Sequence, residues 1–157
     1  MKQESYTLFK EAKLEDIIQT IVTELSQRNE SPFWTEKVEP FSRAVLSVLI
    51  PLRDQGLLFN PEGKYEKELT PELFFRWCDF VSLKLLAFIL NDSNEARKLV
   101  RTKLTDEQTS RYEPIDISEL ASYLAKYSVN MENEALDFPI ANYNLHLGVA
   151  NVIKSLL

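Results

Sequence analysis

Residues 31–56 read SPFWTEKVEPFSRAVLSVLIPLRDQG, and the rest of the chain is predicted to pack around them. Ser31 can accept a hydrogen bond from the first free amides of a helix, Pro32 suits the first helical position, and Gly56 suits the left-handed residue that ends one. Between these ends, large apolar side chains recur every three or four residues: Phe33, Trp34, Val38, Phe41, Val45, Leu46, Leu49 and Leu52. This spacing predicts a long helix with one apolar stripe, which other helices must cover.

Two prolines lie inside this predicted helix. Pro40 and Pro51 each lack the backbone N–H that an interior helical residue donates, and the proline ring crowds the preceding turn. We therefore expect a kink or break near residues 38–40 and a distorted last turn.

A second aromatic-rich segment follows a connection. Residues 57–68 contain one proline, one glycine and five charged residues, which predicts an exposed loop. Thr70 and Pro71 then provide another cap followed by a proline, and the sequence as far as about Leu90 is apolar on nearly every side of a helix. Such a helix must be surrounded, so we expect it to pack against the stripe of residues 31–56.

Shorter segments with helical spacing complete the pattern, and the alternating apolar and polar runs typical of strands are nearly absent. Residues 1–11 are predicted to be a lead-in strand or coil. Further helices are predicted at residues 14–25, at 95–103, from a capping box at 116–119 to about 127, and at 140–156, with Tyr143, Leu147, Ala150 and Ile153 on the inner side of the last one. The predicted fold class is all-α: a single compact bundle of six to seven helices with two long central aromatic-rich helices, forming one domain of residues 1–157.

The composition restricts the possible functions. The chain has 157 residues, 45% of them hydrophobic, and its 24 acidic and 18 basic residues give a net charge of −6. Because a non-specific duplex binder needs a cationic footprint, the chain as a whole is a poor candidate for binding nucleic acid. Three glycines argue against a glycine-rich phosphate loop.

The distribution of apolar residues also predicts where the chain resides. Residues 1–13 are polar and charged, which is not the pattern of a signal peptide. The apolar run 69–90 carries charged residues at several depths, so we expect a core helix rather than a membrane span. Cys78 is the one cysteine and lies in this run, which predicts a buried thiol in a reducing, cytoplasmic compartment.

No arrangement of residues indicates catalysis. His146 is the one histidine, and without a second histidine or a nearby cysteine it is predicted to be structural rather than a metal ligand. Glu36 and Glu39 lie on a face predicted to be solvated, and the phosphate-loop, G-x-S-x-G and C-x-x-C motifs are absent. Trp34 and Trp77 could stack on bases but lie on dense apolar stripes, which predicts core packing. We therefore expect no catalytic residue, no cofactor and no metal, and hence no enzyme.

Exposed aromatic residues on loops are the predicted partner-binding residues, because interfaces favour tyrosine and phenylalanine anchors. The candidates are Phe59 and Tyr65 in the 57–68 loop and Tyr112 before Pro114. The alternative for each is packing of its loop onto the bundle.

A small basic run is the candidate for contact with nucleic acid. It comprises Arg97, Lys98, Arg101 and Lys103. The run predicts either a solvated helix face, which we favour, or a nucleic-acid contact.

One further pattern is Phe33-Trp34-x-x-x-Val38-x-x-Phe41-x-x-Ala44-Val45-Leu46-x-x-Leu49-x-x-Leu52-Arg53, followed by a gap and a second aromatic-rich helix. Over residues 14–90 this order of features resembles the all-α domain of type IV secretion coupling proteins, the TraD-like ATPases of conjugation and effector export. In that family the helical domain is inserted into a RecA-like motor and faces the cytoplasm at the mouth of the hexamer. Val38 and Pro40 depart from the pattern, since the family has small or helix-favouring residues there.

The resemblance implies a domain excised from a larger coupling ATPase, a homo-hexamer at the cytoplasmic face of the bacterial inner membrane. It implies docking of secreted protein substrates, adaptors or a small regulatory protein onto the motor. The Walker motifs are absent from the chain, so the domain itself would not hydrolyse ATP. The acidic charge favours protein partners, as in Dot/Icm- or Cag-type export. The alternatives are a domain that contacts DNA or the relaxosome in a conjugative coupling protein, and a stand-alone helical adaptor.

Overall fold

A computed structural model describes residues 3–28, 31–90, 113, 115–129 and 139–156. Within these ranges the chain forms seven helices and no sheet: α1 (Gln3–Glu11), α2 (Leu14–Ser26), α3 (Pro32–Gln55), α4 (Pro71–Trp77), α5 (Phe80–Leu90), α6 (Ser118–Lys126) and α7 (Ile140–Leu156). The prediction of an all-α bundle is confirmed. The basic helix predicted at 95–103 lies outside the described residues. Of the helices described, none combines the length and apolar character needed to cross a membrane.

Helix α3 is the centre of the bundle and packs against α2, α4, α6 and α7. It begins as the sequence predicts, with Ser31 Oγ accepting a hydrogen bond from the Phe33 amide at 3.3 Å. It ends at Gly56, whose φ of 71° is in the left-handed region that favours glycine. The inward stripe is buried at Val38, Phe41, Val45, Leu46, Leu49 and Leu52. Each of these side chains contributes about 1.5–3 kcal/mol through removal of apolar surface from water.

The prolines do not interrupt α3, which is one helix from Pro32 to Gln55, so of the kink or break expected near residues 38–40 the break is not observed. Pro40 is exposed to solvent and Pro51 is half-buried. A carbonyl that loses its helical partner on the outer side of a helix can be hydrated instead of being left unpaired in the core. The outward position of Pro40 therefore explains why the helix tolerates it.

The second long helix predicted for residues 70–90 is instead two helices, α4 and α5, separated at Cys78 and Asp79. Asp79 Oδ2 accepts a hydrogen bond from the Ser82 amide at 3.3 Å, which starts a new helix at that point. The Cys78 carbonyl, released from the helical pattern, accepts a hydrogen bond from His146 Nε2 on α7 at 2.7 Å. The prediction of one continuous helix was wrong. At the break, the Asp79 side chain caps the Ser82 amide and the distant His146 side chain pairs the Cys78 carbonyl, so these backbone groups keep hydrogen-bond partners without a continuous helix.

The N-terminal segment, predicted to be strand or coil, forms helix α1. Phe9 is buried and its ring lies 5.4 Å from that of Phe74 on α4. Arg53 Nη1 donates a hydrogen bond to the Phe9 carbonyl at 3.0 Å, which pairs a C-terminal carbonyl of α1. Tertiary contacts therefore stabilise a helix that has too few apolar residues to show a clear period.

The C-terminal helices agree with the predicted positions but differ in detail. At the start of α6, Asp116 Oδ1 accepts a hydrogen bond from the Ser118 amide at 3.0 Å, and this bond lowers the pKa of the Asp116 carboxyl. The predicted capping box does not form there, because Ile117 occupies the cap position. In α7, Leu147 is 43% exposed, whereas His146 and Val149 are buried. The prediction that Leu147 lies on the inner face of α7 was therefore wrong, and its neighbour His146 faces inward instead.

Candidate partner-binding surface

The segment between α3 and α4 forms a short hairpin, which we define as residues 58–66. Phe59 and Tyr65 face each other in an isolated antiparallel β-bridge. Leu57 and Leu58 are buried at its base, and so is Leu69 just beyond it. The loop predicted to be exposed is therefore largely buried in its first part, at Leu57, Leu58 and Asn60, and exposed mainly in its second part, at Lys64, Tyr65, Lys67 and Glu68.

Asn60 organises the turn of the hairpin. Its side-chain Oδ1 accepts hydrogen bonds from the amides of Glu62 (3.0 Å) and Lys64 (3.1 Å), and its Nδ2 donates to Glu66 Oε1 (2.9 Å). The Asn60 amide also donates to the Lys64 carbonyl at 2.9 Å. Gly63 has a φ of 81° and permits the chain to reverse. One asparagine side chain thus satisfies three polar groups, which makes the turn a fixed structure.

Removing this side chain should loosen the hairpin without unfolding the bundle. For Asn60→Ala we expect the free energy of unfolding to fall by about 1–2 kcal/mol, because two amides and one carboxylate lose a partner. The backbone amide of Lys64 should exchange its hydrogen faster, and this is measurable by hydrogen exchange. The double variant Asn60→Asp/Glu66→Gln keeps both acceptor bonds and lets the Gln amide donate to the Asp carboxylate in place of the third. It serves as the matched variant, for which slow exchange at Lys64 should persist. Equal exchange at Lys64 in wild type and Asn60→Ala would contradict this role.

Trp77 attaches the hairpin to the bundle. Its indole Nε1 donates a hydrogen bond to the Phe59 carbonyl at 3.0 Å, and the Phe59 ring lies edge-on to it at 5.6 Å. Trp77 itself is fully buried, as predicted from its apolar stripe. Because a rigid core residue holds the Phe59 strand, the opposite strand with Tyr65 is the one that faces outward.

The structure separates the three predicted partner-binding aromatics. Tyr65 is 57% exposed at the hairpin, whereas Phe59 is half-buried against Trp77. Tyr112 lies outside the described residues, as do the basic residues Arg97, Lys98, Arg101 and Lys103. Phe59 and Tyr65 are brought together as a cross-strand pair, and Tyr65 is the member available to a partner.

Some of the charged side chains around Tyr65 form ion pairs with other helices, whereas others do not. Glu62 pairs with Arg76 on α4, and Glu68 lies 3.5 Å from Lys10 on α1. Lys64 and Lys67 are exposed and make no ion pair with any residue in the described ranges. Tyr65 therefore lies in the sequence between two lysines that have no ion pair within the described ranges, with Glu66 as the one carboxylate between them, although the chain as a whole is acidic.

Trp34 and Phe33 form a second aromatic feature, at the start of α3. Trp34 is half-buried against Gly148 of α7, where a Cβ atom would collide with the indole ring. Phe33 is 51% exposed, lies edge-on to Trp34 at 4.8 Å, and has the Lys37 ammonium 4.6 Å from its ring centre. Trp34 is thus less enclosed than the predicted core position, while Phe33 is largely solvated.

His146, predicted to be structural, lies at a polar centre of the core that the sequence did not predict. The His146 Nε2–H donates to the Cys78 carbonyl at 2.7 Å, and the Tyr123 hydroxyl donates to Nδ1 at 2.8 Å. A carbonyl can only accept, so the proton must reside on Nε2. The rings of Phe41 and Phe80 lie 4.9 and 4.6 Å away. Both ring nitrogens are paired, which is the arrangement of a satisfied core histidine.

The surroundings of this cluster explain its protonation. Burial lowers the pKa of His146 to about 4, against smaller opposing contributions from the Cys78 carbonyl and Asp79. Burial also raises the pKa values of the Cys78 thiol and the Tyr123 hydroxyl, so both stay protonated. Across the described ranges, no group of three His, Cys, Asp or Glu side chains is placed to hold a metal ion. The cluster is thus a neutral, closed network rather than an accessible site.

Comparisons with protein-family models, with curated proteins and with solved structures gave no match for this chain.

Proposed function

We propose that this chain is a protein-docking domain of a type IV secretion coupling ATPase. In this role it binds secreted substrates, adaptors or a small regulatory protein at the cytoplasmic mouth of a hexameric motor. The proposal combines the sequence resemblance of residues 14–90 with the all-α architecture.

The observation that carries the docking role is the Tyr65 hairpin. Tyrosine contributes a large contact area at low conformational cost, and a fixed backbone reduces the entropy lost on binding. Here Tyr65 is 57% exposed, and Asn60 and Trp77 hold its hairpin in place. A large aromatic side chain displayed on a rigid support favours a binding surface over a solvated loop.

The charge supports protein partners over DNA. The net charge of −6 opposes approach to a phosphate backbone, whereas a local pair of lysines can still attract an acidic protein surface. The possible DNA contact through residues 97–103 remains a prediction from the sequence.

The test uses the 157-residue chain as bait for purified substrates, adaptors and regulators of the type IV secretion system encoded beside it. We expect one of these proteins to bind, and Tyr65→Ala to weaken that binding by about tenfold or more, as for an aromatic anchor. Ile140→Ala is the matched control because Ile140 is 78% exposed on α7, outside the hairpin. Absence of binding to every component, with folding intact by circular dichroism, would overturn the proposal.

A further inference from the structure

We propose that residues 64–67, the outer strand of the hairpin and the residue that follows it, bind an extended acidic peptide segment of the partner by accepting it as an added β-strand. This inference rests on the proposed docking function and names the chemistry of the partner at the Tyr65 surface.

The backbone geometry provides the first argument. The Asn60 amide donates to the Lys64 carbonyl, and the Glu66 amide donates to the Leu58 carbonyl. In an antiparallel pair these are the hydrogen-bonded positions, so the intervening residues Phe59 and Tyr65 direct their own N–H and C=O groups outward. A third strand would bind to such outward groups.

Only one of the two edges is available. On the inner edge the Phe59 carbonyl already accepts the hydrogen bond from Trp77 Nε1. On the outer edge, the Tyr65 amide and carbonyl make no hydrogen bond to any other described residue. The outer edge therefore offers one donor and one acceptor with the spacing of an extended peptide.

The charges select the kind of strand. Glu62 and Glu68 form ion pairs with Arg76 and Lys10, whereas Glu66 accepts a hydrogen bond from the neutral Asn60 amide and keeps its negative charge. Lys64 and Lys67 remain without an ion pair inside the described ranges and flank Tyr65 in the sequence. Residues 64–67 therefore carry two positive charges and one negative charge, and the resulting net charge of +1 suits an acidic segment.

Two other occupants are less favourable. A second copy suits the edge less well, because in an antiparallel pair centred on Tyr65 Lys64 would meet Glu66 of the other copy, whereas Lys67 would lie opposite Gly63 and gain no counter-charge. Nucleic-acid phosphates could meet the lysines, but they only accept hydrogen bonds and would leave the Tyr65 carbonyl without a donor. An acidic peptide supplies carboxylates for the lysines and both backbone groups for Tyr65.

The test measures binding of a fluorescein-labelled peptide of about eight residues in which Glu and Val alternate, since this is the length of an ordinary strand. Two probes of equal length serve as comparisons: a Lys/Val peptide, and the Glu/Val peptide with alternate backbone nitrogens methylated. We expect the unmodified Glu/Val peptide to bind at least about tenfold more tightly than either. Binding should also slow hydrogen exchange of the Tyr65 amide.

Charge reversal of the edge tests the role of the lysines. The double variant Lys64→Glu/Lys67→Glu should weaken binding of the Glu/Val peptide by about tenfold or more, an effect that diminishes at high salt. The control Lys126→Glu/Lys154→Glu makes the same change in net charge on α6 and α7, and it should bind like the wild type.

Several outcomes would overturn the inference. These are no binding of the Glu/Val peptide up to about 1 mM, equal binding of the methylated peptide, equal binding by both double variants, or tighter binding of a single-stranded oligonucleotide. If a secretion-system protein binds the bait, and the Lys64→Glu/Lys67→Glu substitutions do not weaken that binding, this inference fails while the docking function stands. If no such protein binds although the Glu/Val peptide does, the proposed function fails and the peptide site remains.

Discussion

Replacing His146 with alanine is expected to lower the free energy of unfolding by about 4 kcal/mol. The substitution removes a side chain that contacts the rings of Phe41, Phe80 and Tyr123, and the cavity it leaves costs about as much as other large-to-small core changes. It also leaves the Tyr123 hydroxyl and the Cys78 carbonyl buried without their partner, which costs about 1–3 kcal/mol for each group that stays unpaired. Urea denaturation followed by circular dichroism measures the loss.

The neighbouring residue provides a matched control for this prediction. Leu147 lies on the same helix but is 43% exposed, so Leu147→Ala should cost only about 1 kcal/mol or less. His146→Gln can still donate one hydrogen bond and accept another, and it should be intermediate. If His146→Ala were no more destabilising than Leu147→Ala, the buried network would not be a major contributor to stability.

Acidification is expected to destabilise the protein through the same side chain. The pKa of His146 falls from 6.5 to about 4 on folding, because burial disfavours the charged imidazolium. The unfolded chain therefore binds a proton at a higher pH than the folded chain, and stability falls as the pH decreases from about 6.5 to about 4. The shift corresponds to a loss of about 3 kcal/mol over this window, of which about 2 kcal/mol is already lost at pH 5.

The free energy of unfolding measured in denaturant at several pH values between 5 and 7 tests this prediction. In His146→Gln, which does not titrate, the decrease across that window should nearly disappear. The carboxyls of Glu15 and Asp116 also have lowered pKa values, Glu15 chiefly through its hydrogen bond with Arg43. Their stabilising effect is lost only as the pH falls below the ordinary range of a carboxyl. The change in the free energy of unfolding between pH 5 and 7 is therefore due mainly to His146. A wild-type profile parallel to that of His146→Gln would contradict the assignment.

The positions that sequence analysis located correctly are those where local chemistry and hydrophobic period agree. Ser31, Pro32 and Gly56 bound helix α3 because capping and left-handed conformations depend on residues close in sequence. Tyr65 was identified as an exposed aromatic for the same reason, since its loop contains turn-forming residues. The asparagine before Pro61 is a recognisable turn signal, although its three hydrogen bonds could not be deduced from it.

The predictions that were wrong concern features that depend on contacts between residues far apart in the sequence. The break at Cys78 is compatible with the core because His146, 68 positions away, pairs the released carbonyl. Helix α1 depends on Phe9 packing against Phe74, and this contact has no signature in residues 1–11. Leu147 was predicted to face inward because it is more hydrophobic than histidine. Burial of the neighbouring His146 is favourable only because of its polar partners, the Cys78 carbonyl in the break between α4 and α5 and Tyr123 on α6.

A helical bundle centred on residues 31–56 follows from the sequence alone, because period and capping act within a few residues along the chain. Which polar groups are buried together, and which strand of the hairpin remains open, depends on contacts between distant segments. Hydrogen bonds such as His146 to Cys78 and Trp77 to Phe59 join residues far apart in sequence. Their stabilising effect exists only after the helices have packed and excluded water.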